Sequence, residues 1–273
     1  MLRSDLHAER NGDVLQEGLE VAENELWLVN PTRSAIADLV HTFRGSHTPP
    51  APEPVRVFAA ERPLKDLTDD FLLASLTADL VSSGRLAVRA LESVPRHSLL
   101  VTEETVMSLV ECEQRVVGLT TTRDQFVDIA HEEYRTRWRR AEPFPLRTPP
   151  LSEIRETLAA DLGPETATDF DRTLQTLEST DAGGQLDEVT ISLLVAAYNG
   201  ELLYDISRWG EGVRLASTAT FSRTKNQLEE KGLIDTEKVP IDVGRPRLRL
   251  VLGEKITADD IEGVVRQAQT ELF

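Results

Sequence analysis

The chain has one cysteine in 273 residues, five lysines among its 30 basic residues, and no long apolar run. A lone Cys112 excludes an internal disulfide, and without a Cys/His cluster no structural zinc site or other cofactor site is expected. Cys112 reads as a buried strand residue. No stretch approaches the ~18 apolar residues of a membrane span. The opening MLRSDLHAERNGDV has no apolar core of the kind a secretory leader needs, so the expected location is cytoplasmic. The 47 acidic residues give a formal charge of -17, which argues against indiscriminate coating of nucleic acid. Any DNA contact has to be local. Many carboxylates matched by so few lysines (Lys65, Lys225, Lys231, Lys238, Lys255) suggest a salt-loving host, the alternative being an ordinary acidic protein.

What is present falls into zones separated by loop signals. Pro143 to Pro150 holds four prolines, where neither helix nor strand continues easily. Before it, residues 1–145 alternate strand-like runs (Leu26 to Val29, Val55 to Ala59, Leu86 to Leu91, Ser98 to Val101, Val106 to Val110, Val116 to Leu119) with helical patterns. That predicts an α/β domain for sensing or dimerisation. Its helices are expected over Asp5 to Ala22, briefly after Asn30-Pro31-Thr32, over Asp69 to Ser82, and over Asp124 to Arg140. The loop Gly45 to Pro54 is expected to be mobile. Residues 151–184 read as a helical connector broken at Gly163-Pro164.

Residues 185–253 predict a winged helix-turn-helix. One helix spans Leu186 to Ala197 and stops at Asn199-Gly200. A second spans Glu201 to Trp209, with Leu202, Leu203 and Ile206 buried and Gly210-Glu211-Gly212 ending it. A third opens at Ser217, a good N-cap, and carries Phe221, Thr224 and Leu228 on one side. Its other residues, Thr218, Thr220, Ser222, Arg223, Lys225, Asn226 and Gln227, are short, basic or hydrogen-bonding, as contact with base edges and phosphates requires. Gly232 ends it. A hairpin of Ile234 to Val239 and Arg247 to Leu252 forms the wing, with Arg245 at the tip and Arg247 and Arg249 facing out. Asn199 to Gly253 holds nine basic and eight acidic residues, net +1, so the remainder carries -18. The expected partner is double-stranded promoter DNA.

The tract Thr220 to Ile234 with the Gly244-Arg245-Pro246-Arg247 wing resembles winged-helix regulators of the MarR and TrmB kinds. Together with Leu186 to Thr190 and Tyr204 to Trp209, the whole chain resembles the haloarchaeal TbsP family, the TrmB bypass suppressors. The resemblance implies a transcriptional regulator of sugar-metabolism genes, glycolytic or gluconeogenic. The N-terminal domain is similar to half of a phospholipase-D-like fold, through Arg96 to Glu104, Val106 to Val110 and Tyr134 to Ala141. Catalytic members of that superfamily carry His-x-Lys. Here Leu99 stands where the lysine should be, so His97 lacks the cation that would neutralise a phosphate, and no catalytic residue is expected.

A non-catalytic sensor could still hold an anionic metabolite through His97, Arg135 and Arg139, although for the cluster of Arg135, Arg137, Arg139 and Arg140 pairing with Glu132 and Glu133 is the favoured reading. His131 has no second histidine four residues on and reads as part of a solvated face. Winged-helix regulators commonly read two half-sites as symmetric dimers, so a homodimer is expected. The last helix, opened by a capping box at Thr257-Ala258-Asp259-Asp260, presents Ile261, Val264, Val265, Ala268 and Leu272 on one stripe. That stripe can pair with its twin, the favoured reading, or fold back on its own domain, with the connector helices from Ile154 to Leu177 as the other candidate dimer surface. Two other readings stay open: a co-regulator whose winged helix contacts protein, and a phosphodiesterase.

Overall fold

The computed structural model describes residues 6–8, 11–44, 54–112, 115–179, 186–240 and 246–273 and divides into two units, Met1–Arg147 and Thr148–Phe273. The first is α/β. Its strands are β1 (Leu6–Ala8), β2 (Trp27–Val29), β3 (Val55–Ala59), β4 (Leu86–Ala90), β5 (Ser98–Val101), β6 (Val106–Cys112) and β7 (Arg115–Thr121). They form one sheet in the order β1-β7-β6-β5-β2-β3-β4. β2, β3 and β4 run parallel, and parallel neighbours need crossovers. α2 (Arg33–Arg44) supplies the first, α3 (Glu61–Thr68) and α4 (Phe71–Ser82) the second. The remaining strands pair antiparallel.

Strand alternation then sorts side chains between two faces. Trp27, Val29, Phe58, Val101 and Val106 pack with Val127, Ala130, Tyr134 and Trp138 of α5 (Asp124–Arg140). The opposite face is covered by α1 (Asn11–Val21), whose Gly18 lies so close to Leu100 that a Cβ there would fall 2.4 Å from its side chain.

The amino-terminal helix expected from Asp5 is a strand followed by a helix. β1 pairs through Leu6↔Gly118 and its neighbours, an edge pairing that needs only main-chain groups and so leaves little trace in side-chain periodicity. α2 is a full 12 residues, and α3 stands where no helix was read. Cys112 ends β6; its side chain, like the loop over 45–53, lies outside what is described.

The second unit contains α6 (Leu151–Leu162), α7 (Pro164–Ser179), α8 (Glu188–Tyr198), α9 (Leu203–Gly212), α10 (Thr218–Glu230), the antiparallel hairpin β8 (Ile234–Val239) and β9 (Arg247–Leu252), and α11 (Ile261–Leu272). The two helices read as a connector lie inside this unit. Thr157 of α6 accepts from Trp209 Nε1 at 3.0 Å, and Asp169 of α7 accepts from Asn199 at 3.1 Å. Residues 180–184 of that segment are outside the description.

α11 corrects two expectations. Its cap is Asp260, which accepts from the Gly263 N–H at 2.7 Å, rather than Thr257. Its stripe of Ile261, Val264, Val265 and Ala268 is fully buried within its own unit, where α11 packs against α7 and α8, so it is not open to a twin.

Candidate nucleic-acid interface

α10 is held against α9 by one close approach. Phe221 is fully buried, and a Cβ on Gly210 would lie 2.4 Å from its ring. Gly210 therefore sits inside α9 instead of ending it, because only a bare Cα admits the ring. Trp209 and Ile206 are buried on α9, while Leu202 and Leu203 are only partly covered. The turn is closed by Leu215 N–H to Gly210 C=O at 2.8 Å, with Arg214 at φ 61 in the left-handed conformation usually given to glycine.

The Ser217 hydroxyl caps α10, accepting from the Thr220 N–H at 3.2 Å. At the other end Gly232, at φ 70, lets Leu233 N–H reach Leu228 C=O at 3.0 Å. Both ends are thus fixed, and Thr224 and Leu228 join Phe221 on the buried side.

The opposite side carries Thr218, Ser222, Arg223, Asn226 and Gln227, all exposed, with Ser217 exposed and Thr220 half-buried at its start. Short polar side chains around one arginine leave room for a base edge to approach, and an arginine can offer two donors to guanine. Lys225 is not among them. It is 8 % exposed, and its ammonium lies 2.7 Å from Glu229 Oε2, one helical turn on. Its charge is spent within the helix, and Glu229 also accepts from the Thr236 hydroxyl of β8 at 3.0 Å.

The wing base is anchored to the start of α9. Leu250 N–H donates to Glu201 C=O at 2.8 Å, and Leu202 bridges Arg249. Arg247 is half-buried, lies over the Tyr204 ring at 4.6 Å and stands 3.6 Å from Asp205. Arg249 is exposed opposite Glu237 in the hairpin register. Arg245, at the tip, lies outside the described residues. Two further arginines of the helix-turn-helix, Arg208 on α9 and Arg214 in the turn before α10, are exposed and were not singled out from the sequence. The signal for Arg214 was its position just before the Leu215-Ala216-Ser217 turn.

The three residues proposed for a metabolite are not brought together. His97 is exposed just before β5, next to Ser98, whose hydroxyl donates to Asn30 C=O at the end of β2. Arg135 lies at the other end of β2, where its guanidinium is 2.7 Å from Glu25 Oε2. Arg139 is exposed. Pairing of Arg135 within α5 is minor, Glu132 being 4.0 Å away, whereas Arg137 and Glu133 do pair at 3.4 Å.

Glu25 is the centre of a knot. Arg56 stands 3.2 Å from it and also lies 4.8 Å over the Trp27 ring. His131 Nε2 is 2.9 Å from Glu25, yet is off the line of a hydrogen bond, and it is mostly buried rather than solvated. Burial would raise the Glu25 carboxyl, but the hydrogen bond from Arg135 and the charges of Arg56, Arg135 and His131 outweigh it and hold the group below its ordinary value. Leu99, in the place of a catalytic lysine, packs against the α5-side core.

Among the described residues no group of three or more His, Cys, Asp or Glu could hold a metal ion. No helix among them is long and apolar enough to cross a membrane.

Residues 3–149 match the family described as "Transcriptional regulator TbsP-like, N-terminal", and residues 150–269 match "Transcriptional regulator TbsP-like, C-terminal HTH domain". No curated protein matches the chain. Among solved structures it is similar to TrmBL2, an archaeal chromatin protein described as showing a novel mode of DNA binding, with 20% identity over 51% of this chain and a TM-score of 0.35. The match takes in 53% of TrmBL2, about half its length. It is also similar to Nuc, a phospholipase D family member from Salmonella typhimurium, with 9% identity over 48% of this chain and 89% of that one and a TM-score of 0.32.

Proposed function

Because the chain belongs to the TbsP-like family of transcriptional regulators, we propose that it reads promoter DNA sequence-specifically by seating α10 in the major groove. The observation that carries this reading is the exposed face of α10, with Ser222, Arg223, Asn226 and Gln227 presented by a helix fixed at both ends. A rigid helix places donors against base edges without a further ordering cost. Arg245 and Arg249 of the wing, with Arg208 and Arg214, hold the flanking phosphates, and Arg247 steadies the wing through Tyr204 and Asp205. Lys225 acts within the helix.

One α10 spans one half-site, so the regulator works as a homodimer on paired half-sites about one helical turn apart. Its genes are those of sugar metabolism in a salt-loving host, and a metabolite bound to the first unit sets its affinity for DNA. The family resemblance supports the first point, and the shortage of lysine against 47 carboxylates supports the second. At ~1 M salt the screening length is ~3 Å, so counterion release contributes little and close contacts have to carry affinity.

The experiment is genome-wide crosslinking and immunoprecipitation at native salt, comparing the chain with an Arg223→Ala, Arg245→Ala variant. Discrete promoter peaks that vanish in the variant are expected, lying beside sugar-metabolism genes. Peaks that persist would mean that the chain reaches promoters through another factor.

A further inference from the structure

The α5 side of the first unit's sheet is only partly covered. The registers Val29↔Leu99, Leu99↔Ser108 and Ser108↔Leu119 form one row across four strands on that face. Val110 stands two residues beyond Ser108 on β6, on the same face by strand alternation. α5 covers the row that holds Trp27, Val101 and Val106 and reaches Val29 and, in part, Leu99 of the next row. Beyond it, Val110 remains 44% and Leu119 49% exposed.

α5 adds to the same patch from its flank. Its buried stripe runs through Val127, Ala130, Tyr134 and Trp138, and Phe126, Ile129, Glu133 and Arg137 lie along one side of that stripe at helical spacing. Arg137 donates to the Ser93 carbonyl in the connection that leads to β5, so this flank faces the end of the sheet where Leu99 and Val110 lie. The opposite flank, with Arg135, faces Glu25 at the other end. Phe126 is 53% and Ile129 62% exposed. Four of the eight exposed large apolar residues among those described thus converge on one face. Scattered exposed apolar side chains need no explanation, whereas a contiguous group does.

We propose that this face, centred on Leu99, Val110, Leu119, Phe126 and Ile129, is where a second copy of the chain docks. The inference rests on the reading of the chain as a dimeric regulator and names its interface. Charge selects the occupant. The chain carries -17 overall, so over most of its surface a self-pairing would bury like carboxylates against one another, a short-range cost that salt screens far less than distant repulsion. The sheet rows of this patch hold no carboxylate, and the one acid on the α5 flank, Glu133, is paired with Arg137. Copies can therefore approach here without like charges meeting, and an apolar patch is complementary to itself about a two-fold axis. An anionic partner such as nucleic acid or an acidic bilayer finds no cation at its centre.

The test measures the mass of the full chain by light scattering, with Ile129→Asp and Leu119→Lys made separately and Phe273→Asp as a control. Phe273 is 72% exposed and belongs to the second unit, so it is not part of the patch. The expected result is a dimer for the unaltered chain and for Phe273→Asp. Each patch variant should weaken dimerisation about 30-fold or more while its circular dichroism stays that of the unaltered chain. Because Ile129 and Leu119 are on different elements, misfolding of one variant leaves the other to decide. Patch variants that remain dimeric, or a control that dissociates with them, would overturn the interface and leave the dimeric reading standing. A monomeric unaltered chain would overturn both.

Discussion

The two units dispose of their side chains in opposite ways. In the second unit most apolar residues turn inward: Ile261, Val264, Val265 and Ala268 of α11 are buried, Phe221 fills the space left by Gly210, and the exposed face of α10 is polar, with Tyr204 and Phe273 the exposed large apolar side chains among the described residues of that unit. In the first unit a knot of charged groups is turned inward. Glu25 gathers Arg56, His131 and Arg135 around it, while Val110, Leu119, Phe126 and Ile129 stay exposed. A surface of unspent hydrogen-bonding groups suits a partner read by donors and acceptors, whereas a surface of unspent apolar groups suits one held by exclusion of water. The contrast separates the proposed reading of DNA from the proposed pairing of copies.

The largest effect expected from breaking this contrast lies at Phe221. Its ring is fully buried between α9 and α10, and truncation to alanine removes a large core aromatic, at a cost of about 3–5 kcal/mol. The melting of the second unit should fall by many degrees, and DNA binding should be lost with it. Unfolding of the first unit, followed at Trp27 and Trp138, should be unchanged. One shared transition shifting as a whole would show that the units unfold together, and the separation of roles drawn above would then have no counterpart in stability.

The legible parts of this molecule are those whose logic is local. α5, β8 and β9 have the bounds that periodicity predicts, and Ser217 and Gly232 mark the ends of α10 as a cap and a left-handed glycine should. Groups answering to a distant partner were not legible. Arg135 was weighed against Glu132 and Glu133 because they are near in sequence, but its partner, Glu25, is 110 residues away. β1 borrows main-chain groups from β7, and α11 could not show by itself which surface its stripe would cover. Lys225 is a different case. Its Glu229 partner stands at the helical spacing that favours ion pairs, so the sequence alone contained the reason to leave it off the DNA-facing side.

A smaller effect is expected at Glu25. With the carboxyl held below its ordinary value of 4.5, its contribution to stability is present above that value and lost as pH falls through the lower folded one. Glu25→Gln removes the acid and leaves Arg56 and Arg135 facing each other. Arg135 is 36% exposed, so screening trims the loss to about 1–2 kcal/mol at neutral pH. Comparing acid titrations of stability should show the gap between the unaltered chain and the variant closing as pH falls below the ordinary value of 4.5. A gap that stays constant with pH would mean that the substituted amide fails by shape, and that the knot is not electrostatic.

The smallest effect should come from removing the charge at Lys225, and it is informative because Arg223 is two residues away. If exposure and not charge decides what reads DNA, Lys225→Met, which keeps the buried stem and loses only the ammonium, should weaken binding less than about 3-fold. Arg223→Ala should weaken it about 10-fold to 100-fold, the range for one good base contact. Equal losses of affinity at both positions, measured by fluorescence anisotropy at native salt, would show that α10 turns on its axis when it meets DNA and brings Lys225 out of the core. The exposed face seen in the free chain would then not be the face that reads.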